Sequence, residues 1–171
     1  NYDCPWCDTE FDSFKATSEE DFIAFAELET SRFAVITGGE PTVHKDLPRI
    51  LKILKDLDFF IACETNGSFP VPEEIDHPTV SPKAYTKNKF PPFYIDTRTF
   101  EAAREFKYVV DDRFDFNILE RHRPYRDEVT YALSPEFSQM NSNVEKIINY
   151  IKNNPRWTLS LQTNKWIEID R

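Results

Sequence analysis

The feature that most constrains this fold is an alternation of short apolar runs with helix-like segments along the 171-residue chain. Residues 33–37 and 59–65 form apolar runs that predict buried strands, and each ends in a glycine-containing turn. Between them, residues 47–57 carry isoleucine and leucine at helical spacing. Strands that alternate with helices in this way predict parallel β/α units.

Six strands and three helices are predicted in total. The strands are expected at 33–37, 59–65, 79–82, 106–110, 129–133 and 157–162. The helices are expected after a capping box at 17–20, over 47–57 and over 143–151, with a loop at 84–98. We therefore expect an α/β fold, a partial (β/α) barrel that is open rather than eight-fold, in a single domain over residues 1–171.

Composition excludes several classes of protein. The formal net charge of −9 disfavours a broad nucleic-acid footprint, because little positive surface remains to neutralise phosphates. No apolar run approaches the roughly 20 residues of a membrane span, and no signal peptide is visible, so we expect a cytoplasmic protein without membrane contact. Three cysteines are too few for a disulfide framework.

Two of those cysteines, Cys4 and Cys7, have the C-x-x-C spacing of a metal or redox site. A zinc half-site needs two more ligands, and the chain has no second such pair. A thioredoxin-like redox pair and an iron–sulfur site, which needs a further cysteine, are the other interpretations. The residues alone leave these three open. Cys63, in the middle of a predicted strand, is expected to be a buried core cysteine.

Polar residues cluster directly after the predicted strands, where parallel α/β folds build their sites. At 38–41, two glycines let the backbone approach a ligand closely, and Glu40 can accept hydrogen bonds from a ligand ammonium; a tight turn is the alternative. At 81–83, a hydroxyl and a cation follow a strand, which suits a carboxylate, although a solvated lysine is the alternative. The three histidines lack metal-like spacing and are expected to be solvated or structural: His44, His77 and His122.

Taken together and in order, these motifs resemble the radical S-adenosylmethionine superfamily, and within it the 7-carboxy-7-deazaguanine synthase family. The resemblance runs from residue 1 to about residue 169. The segments that carry it are Cys4-Pro5-Trp6-Cys7-Asp8-Thr9, 35–42, 64–67, 80–83, 106–110, 133–136 and 154–165.

The resemblance implies a radical lyase that converts 6-carboxy-5,6,7,8-tetrahydropterin to 7-carboxy-7-deazaguanine with loss of ammonia, a step toward queuosine. It implies a 4Fe–4S cluster, S-adenosylmethionine and Mg²⁺. The cluster cleaves the cosubstrate to a radical that takes a hydrogen atom from the pterin. The family also implies a homodimer and a reductant of the flavodoxin or ferredoxin type.

The resemblance assigns roles to individual residues. Cys4 and Cys7 are expected cluster ligands and Thr9 an expected Mg²⁺ ligand, while Thr37 and Asn164 are expected near the substrate. The expected S-adenosylmethionine contacts are Gly39, Glu40, Glu64, Ser81, Pro82, Lys83, Ser134, Pro135, Glu136 and Phe137. No side chain is assigned as a catalytic group, because the radical arises at the cluster.

Two departures from the family pattern bear on these expectations. The family's first strand, its substrate loop and its first cluster cysteine have no counterpart here, so we expect an N-terminally incomplete domain whose parent protein has a cysteine just before Asn1. Asn164 stands where the family usually has histidine, and asparagine cannot carry a proton. The alternatives are an activase of a glycyl-radical protein and a non-catalytic binding protein that keeps the fold.

Overall fold

The computed structural model of the protein describes Cys4, Pro5, Cys7 and residues 16–84 and 90–167. The chain divides into two compact units, Asn1–Ala103 and Arg104–Arg171. The expectation of a single domain therefore stays a prediction, and each unit is presented by itself. In the part of the chain that the structure describes, no helix has the length and apolar character needed to cross a membrane.

The described residues of the first unit form three parallel strands. They are β1 (Phe33–Ile36), β2 (Phe60–Thr65) and β3 (His77–Val80). In the register, Ile36 lies opposite Cys63 and Thr65 lies opposite Val80, so the carboxyl ends of the three strands lie at one edge. The helices of this unit are α1 (Glu19–Leu28), α2 (Leu47–Asp56) and α3 (Thr97–Ala102).

The core of the first unit forms between α2 and one face of the strands. Leu51 and Leu54 on α2 are buried in the same cluster as Ile61 and Cys63 on β2. Each fully buried leucine or isoleucine contributes about 1.5–3 kcal/mol to folding. The leucines recur at helical spacing and the β2 residues at a spacing of two, so the sequence pattern determines which face of each element is buried.

Helix α1 begins one residue later than the predicted capping box requires. The N-cap is Ser18, whose Oγ accepts a hydrogen bond from the Asp21 N–H at 3.1 Å and donates to the Asp21 carboxylate at 2.8 Å. The expected pair of Thr17 and Glu20 is wrong by one position. In a capping box the acidic side chain accepts from the N-cap backbone N–H, whereas here the Asp21 carboxylate accepts from the Ser18 hydroxyl.

The second unit also contains three parallel strands. They are β4 (Glu105–Val110), β5 (Thr130–Pro135) and β6 (Trp157–Leu159). Its helices are α4 (Met140–Asn153) and α5 (Thr163–Trp166), with a 3₁₀ segment at Phe116–His122. The strand expected at 157–162 is shorter than predicted, and α5 lies over residues for which no helix was predicted.

An aromatic cluster fills the core of the second unit. Tyr108 and Phe106 on β4, Tyr131 on β5 and Trp157 on β6 are at most 2 % exposed. The Trp157 indole lies 5.3 Å from the Tyr131 ring and 6.0 Å from the Tyr108 ring, as measured between centroids. Such contacts add to the area that the rings bury and favour one arrangement of the three strands.

The predicted strands occur, with shifted ends. Strand β3 covers His77–Val80 instead of 79–82, so Pro78 lies inside it, opposite Cys63. Helix α3 begins within the expected loop at 84–98. Its N-cap is Asp96, whose carboxylate accepts hydrogen bonds from the N–H groups of Arg98 and Thr99.

Candidate functional site

The strand ends of the first unit bring three of the predicted polar segments to one edge. The segment 37–40 follows β1, residues 64–66 complete and follow β2, and 81–83 follows β3. Because the three strands are parallel and in register, these segments leave the sheet side by side. This is the edge at which open α/β folds bind their ligands.

Glu40 connects the end of β1 to the end of β2. Its Oε1 atom accepts hydrogen bonds from the Thr42 N–H at 3.2 Å, the Thr42 hydroxyl at 2.5 Å and the Thr65 hydroxyl at 2.6 Å. Its Oε2 atom accepts from the Asn66 N–H at 2.7 Å. Glu40 is only 7 % exposed, so these charge-assisted bonds form in a largely water-free setting, where they are strong.

Thr65 also connects the end of β2 to the segment after β3. Its hydroxyl donates to Glu40 and accepts from the Gly67 N–H at 3.0 Å. Its carbonyl oxygen accepts from the Ser81 N–H at 2.8 Å. One residue therefore contacts the turn after β1, the turn after β2 and the turn after β3, and it fixes their spacing.

The two turns need glycine for different reasons. Gly67 has φ +81°, and a Cβ at this position would lie 2.7 Å from the Val80 Cγ1 atom and 3.3 Å from the Ile95 Cγ2 atom. Gly38 has φ +134°, a backbone angle that favours glycine, and a Cβ there would meet no atom of the described residues within 4 Å. The turn after β2 therefore needs glycine for space as well as for its backbone angle, whereas the turn after β1 needs glycine at position 38 for the backbone angle.

Ser81 and Lys83 form the third segment of this edge. The Lys83 ammonium donates to the Ser81 hydroxyl at 2.7 Å. Burial raises the pKa of the Cys4 thiol, and the positive charge of Lys83 acts in the opposite direction. The positive charge of Lys83 therefore opposes, without reversing, the rise in the pKa of Cys4.

Cys4 and Cys7 share a turn in which the Cys7 N–H donates to the Cys4 carbonyl oxygen at 3.0 Å. Two thiols on one turn beside a cation fit two ligands of an iron–sulfur cluster. Within the described ranges, no group of three His, Cys, Asp or Glu side chains is placed to hold a metal ion. Thr9, the expected Mg²⁺ ligand, lies outside the described residues.

Cys63 is a core residue, as predicted. It is 1 % exposed in the cluster around α2. Burial, followed by the negative charges of Glu40 and Glu64, raises the pKa of its thiol to about 12. The buried position of Cys63 among apolar side chains is typical of a structural core cysteine.

In the second unit, the predicted residues Ser134 and Pro135 end β5. The Glu136 carboxylate accepts hydrogen bonds from the N–H and the hydroxyl of Ser138, at 2.9 Å and 2.7 Å. Phe137 is 40 % exposed, and the Lys165 ammonium lies 5.1 Å from the centroid of its ring. Cation–π contacts of this kind hold an exposed ring in a defined orientation.

The structure also describes the positions of four other residues that the sequence predicts for the site. Thr37 follows β1 directly, Glu64 is half-buried on β2, Pro82 is buried after β3, and Asn164 lies on α5. The sequence interpretation gave no role to Thr42, Thr65 or the Asn66 N–H, which hold the Glu40 carboxylate. The Glu64-Thr65-Asn66-Gly67 motif indicated this segment. It did not indicate the partner Glu40, which precedes Thr65 by 25 residues in the sequence.

The chain is similar to curated proteins over almost all of its length. It is 34% identical to the 7-carboxy-7-deazaguanine synthase of Haemophilus influenzae over 176 residues, which cover 99% of this chain and 81% of the relative. It is 32% identical to the Neisseria meningitidis protein of the same name, with the same coverage of both chains. A scan against models of protein families finds no match.

Solved structures agree with these relatives. The crystal structure of QueE from Escherichia coli matches 91% of this chain and 68% of its own with a TM-score of 0.70, at 30% identity. The crystal structure of Streptococcus suis SuiB bound to S-adenosylmethionine matches 95% of this chain and 44% of its own, with a TM-score of 0.57. At 13% identity, the SuiB match bears on the fold alone.

The parallel strands of the described residues, their polar carboxyl-terminal ends, the curated synthases and the QueE match define a protein of the radical S-adenosylmethionine class. The expectation of an open α/β fold of about six strands, rather than a closed eight-fold barrel, is thereby confirmed. More narrowly, the chain belongs to the 7-carboxy-7-deazaguanine synthase family, because the identity to its curated members extends along nearly the whole sequence.

Proposed function

We propose that this chain catalyses the radical-mediated conversion of 6-carboxy-5,6,7,8-tetrahydropterin to 7-carboxy-7-deazaguanine with loss of ammonia. The observation that carries this conclusion is the 34% identity to a curated synthase over 99% of the chain. The enzyme is a carbon–nitrogen lyase of the radical S-adenosylmethionine class, and its reaction is a step in queuosine biosynthesis. The relatives' names favour this activity over the activase and the non-catalytic binding protein.

The enzyme class requires a 4Fe–4S cluster and S-adenosylmethionine. When bound, these groups supply one electron and a radical that abstracts hydrogen. Cys4 and Cys7 are proposed as two cluster ligands, because they share one turn and have the C-x-x-C spacing of the family motif.

The chain's own residues bind and orient the two organic molecules. In the first unit, the residues proposed for S-adenosylmethionine are Gly39, Glu40, Glu64, Ser81, Pro82 and Lys83. In the second unit, the proposed residues are Ser134, Pro135, Glu136 and Phe137. Thr37 at the end of β1 is proposed to contact the pterin. Asn164 is also proposed to contact the pterin, and as an asparagine it supplies hydrogen bonds but no proton.

Three further features are proposals that rest on the family alone. Thr9 is proposed to bind Mg²⁺, since a hydroxyl oxygen beside a substrate carboxylate suits a hard cation. A flavodoxin- or ferredoxin-type protein is proposed as the electron donor. A homodimer is proposed as the working assembly, and sedimentation of the full-length protein would show a single-chain mass if that proposal is wrong.

Complementation tests the proposed activity in a cell. The full-length gene is expressed in a bacterial host that lacks its own 7-carboxy-7-deazaguanine synthase, and queuosine is measured in the host's tRNA by mass spectrometry. We expect queuosine to return with the wild-type chain and to stay absent with Cys4→Ser at equal expression. Soluble, iron-loaded wild-type protein that leaves the tRNA without queuosine would contradict the assignment.

A further inference from the structure

The core of the second unit contains a tyrosine and a histidine in direct polar contact. The Tyr108 hydroxyl oxygen lies 2.9 Å from the His122 Nε2 atom, and the two residues are 0 % and 3 % exposed. The imidazole is neutral, because burial lowers the pKa of His122. In the tautomer that carries its proton on Nδ1, the Nε2 atom accepts a hydrogen bond from the Tyr108 hydroxyl. The buried phenol therefore has a proton acceptor within reach.

A chain of oxidisable rings connects this pair to the surface of the unit. Between ring centroids, Trp157 lies 6.0 Å from Tyr108 and 5.3 Å from Tyr131. The Trp157 Nε1–H donates to the Tyr125 hydroxyl at 2.9 Å, and the Tyr125 ring lies 5.0 Å from the Tyr131 ring. Tyr125 is half-buried and so reaches solvent. Tyrosine and tryptophan lose single electrons to strong oxidants, and electrons pass readily between rings that are this close.

We propose that Tyr108 and His122 form a proton-coupled redox pair, which takes up single oxidising equivalents that reach the unit at Tyr125. The oxidant belongs to the class of strong one-electron oxidants of which the carbonate radical is an example. It takes one electron from the Tyr125 end of the chain, and Trp157 relays the electron that Tyr108 gives up. The inference does not depend on the substrate that the enzyme uses.

The proton of Tyr108 moves to His122 as the electron leaves. An oxidised phenol is a far stronger acid than a protonated imidazole, so the O–H bond breaks and the proton binds the Nε2 atom. The products are a neutral tyrosyl radical, an imidazolium and the reduced oxidant. A thiolate later returns one electron through the same rings and becomes a thiyl radical, and the proton goes back to Tyr108. The positive charges of Arg121 and Arg126 oppose the imidazolium and favour this return.

The hydrogen-bond partners explain why the oxidising equivalent settles on Tyr108. Burial raises the pKa of Tyr108, so its proton leaves only toward a base that is already in contact. The hydroxyl of Tyr131 accepts a hydrogen bond from the Arg126 N–H at 3.0 Å, and that of Tyr125 accepts from Trp157. Those two contacts bring donors to the phenol oxygens, whereas the contact of Tyr108 brings a base.

Flash oxidation of the full-length, reconstituted enzyme tests this pair. A tris(bipyridine)ruthenium complex, oxidised by a light flash with a quencher, supplies the one-electron oxidant. The radical is trapped by freezing and recorded by electron paramagnetic resonance at a temperature at which iron–sulfur signals are too broad to detect. Ring-deuterated tyrosine identifies a tyrosyl signal, and optical absorption gives its rate of formation in light and in heavy water.

We expect a long-lived tyrosyl radical in the wild type, and it should form more slowly in heavy water because a proton moves with the electron. Tyr108→Phe should lose the long-lived signal. His122→Phe should shorten the lifetime of the radical about tenfold, the scale set by one hydrogen bond to a charged group, and should abolish the isotope effect. Tyr125→Phe should keep the radical but slow its formation.

Tyr150 offers a matched control in the same unit. It is half-buried, and its ring stacks on Phe116 with 4.6 Å between the centroids. Tyr150→Phe removes one phenol hydroxyl, as Tyr108→Phe does, but none of the ring contacts of the proposed chain involves Tyr150. The yield of the radical and the isotope effect should stay at the wild-type values in this variant.

A long-lived radical of wild-type yield in Tyr108→Phe would overturn the inference, because the oxidising equivalent would then settle on another residue. Equal rates in light and heavy water would overturn the proton transfer to His122, and that measurement on the wild type requires no variant to fold. An unchanged rate in Tyr125→Phe would overturn the entry point. A loss in Tyr150→Phe as large as in Tyr108→Phe would overturn the assignment to Tyr108.

Discussion

His122 makes the stability of the second unit sensitive to pH. The residue is 3 % exposed, and its Nε2 atom lies 2.9 Å from the Tyr108 hydroxyl oxygen. Burial, followed by the positive charges of Arg121 and Arg126, lowers the pKa of His122 from its ordinary 6.5 to about 3. The imidazole is therefore neutral in the folded protein at every pH in which enzymes usually work.

This shift makes the protein less stable in acid. Because the pKa of His122 is lower in the folded state than in the unfolded state, the unfolded chain takes up the proton first as the pH falls. The contribution is fully present above pH 6.5 and is lost between about 6.5 and about 3. Between pH 7 and pH 5, His122 lowers the free energy of unfolding by about 2 kcal/mol.

Urea denaturation at pH 7 and at pH 5 measures this loss. The double variant His122→Phe/Tyr108→Phe removes the imidazole together with the hydroxyl that contacts it, so it should lack about 2 kcal/mol of the wild-type difference between the two pH values. Tyr108→Phe alone should keep the difference, because burial of His122 is the largest cause of the shift. Equal differences in the wild type and in the double variant would show that His122 is not the titrating group.

Three further predictions concern the first unit. Gly67→Ala should lower the free energy of unfolding by about 2–4 kcal/mol in urea, because φ is +81° and the new Cβ would lie 2.7 Å from the Val80 Cγ1 atom; a loss below about 1 kcal/mol would contradict this. Cys4→Ser should abolish the iron content of reconstituted protein, whereas Cys63→Ser should keep about four irons per chain; equal iron in both variants would contradict the ligand assignment. Ser18→Ala should cost about 1 kcal/mol through loss of the α1 cap, and an unchanged thermal midpoint would contradict it.

Strand existence was predictable because apolar content and spacing mark buried strands directly. Strand ends were harder, and β3 shows why. Pro78 cannot donate a ladder hydrogen bond, yet the structure places it inside β3 opposite Cys63. Helix α3 was missed because it has only six residues, and the neighbouring Pro91-Pro92 pair favoured a loop.

The sequence predicts which segments form the site, but it does not predict the hydrogen bonds between them. Each polar cluster after a strand is visible in the sequence, and parallel pairing brings the three of the first unit to one edge. The partners of Glu40 depend on the register of β1 against β2, which sets whether Thr65 or Glu64 faces it. No local sequence pattern specifies that register, because Thr65 lies 25 residues after Glu40 in the chain.

Anaerobic turnover tests the assigned activity most directly. Reconstituted full-length protein is incubated with 6-carboxy-5,6,7,8-tetrahydropterin, S-adenosylmethionine, Mg²⁺ and a reductant, and the products are identified by liquid chromatography and mass spectrometry. A 7-carboxy-7-deazaguanine synthase must yield that deazaguanine, and the Cys4→Ser variant must yield none. Formation of 5′-deoxyadenosine without any deazaguanine would show that the chain generates the radical but acts on a different substrate.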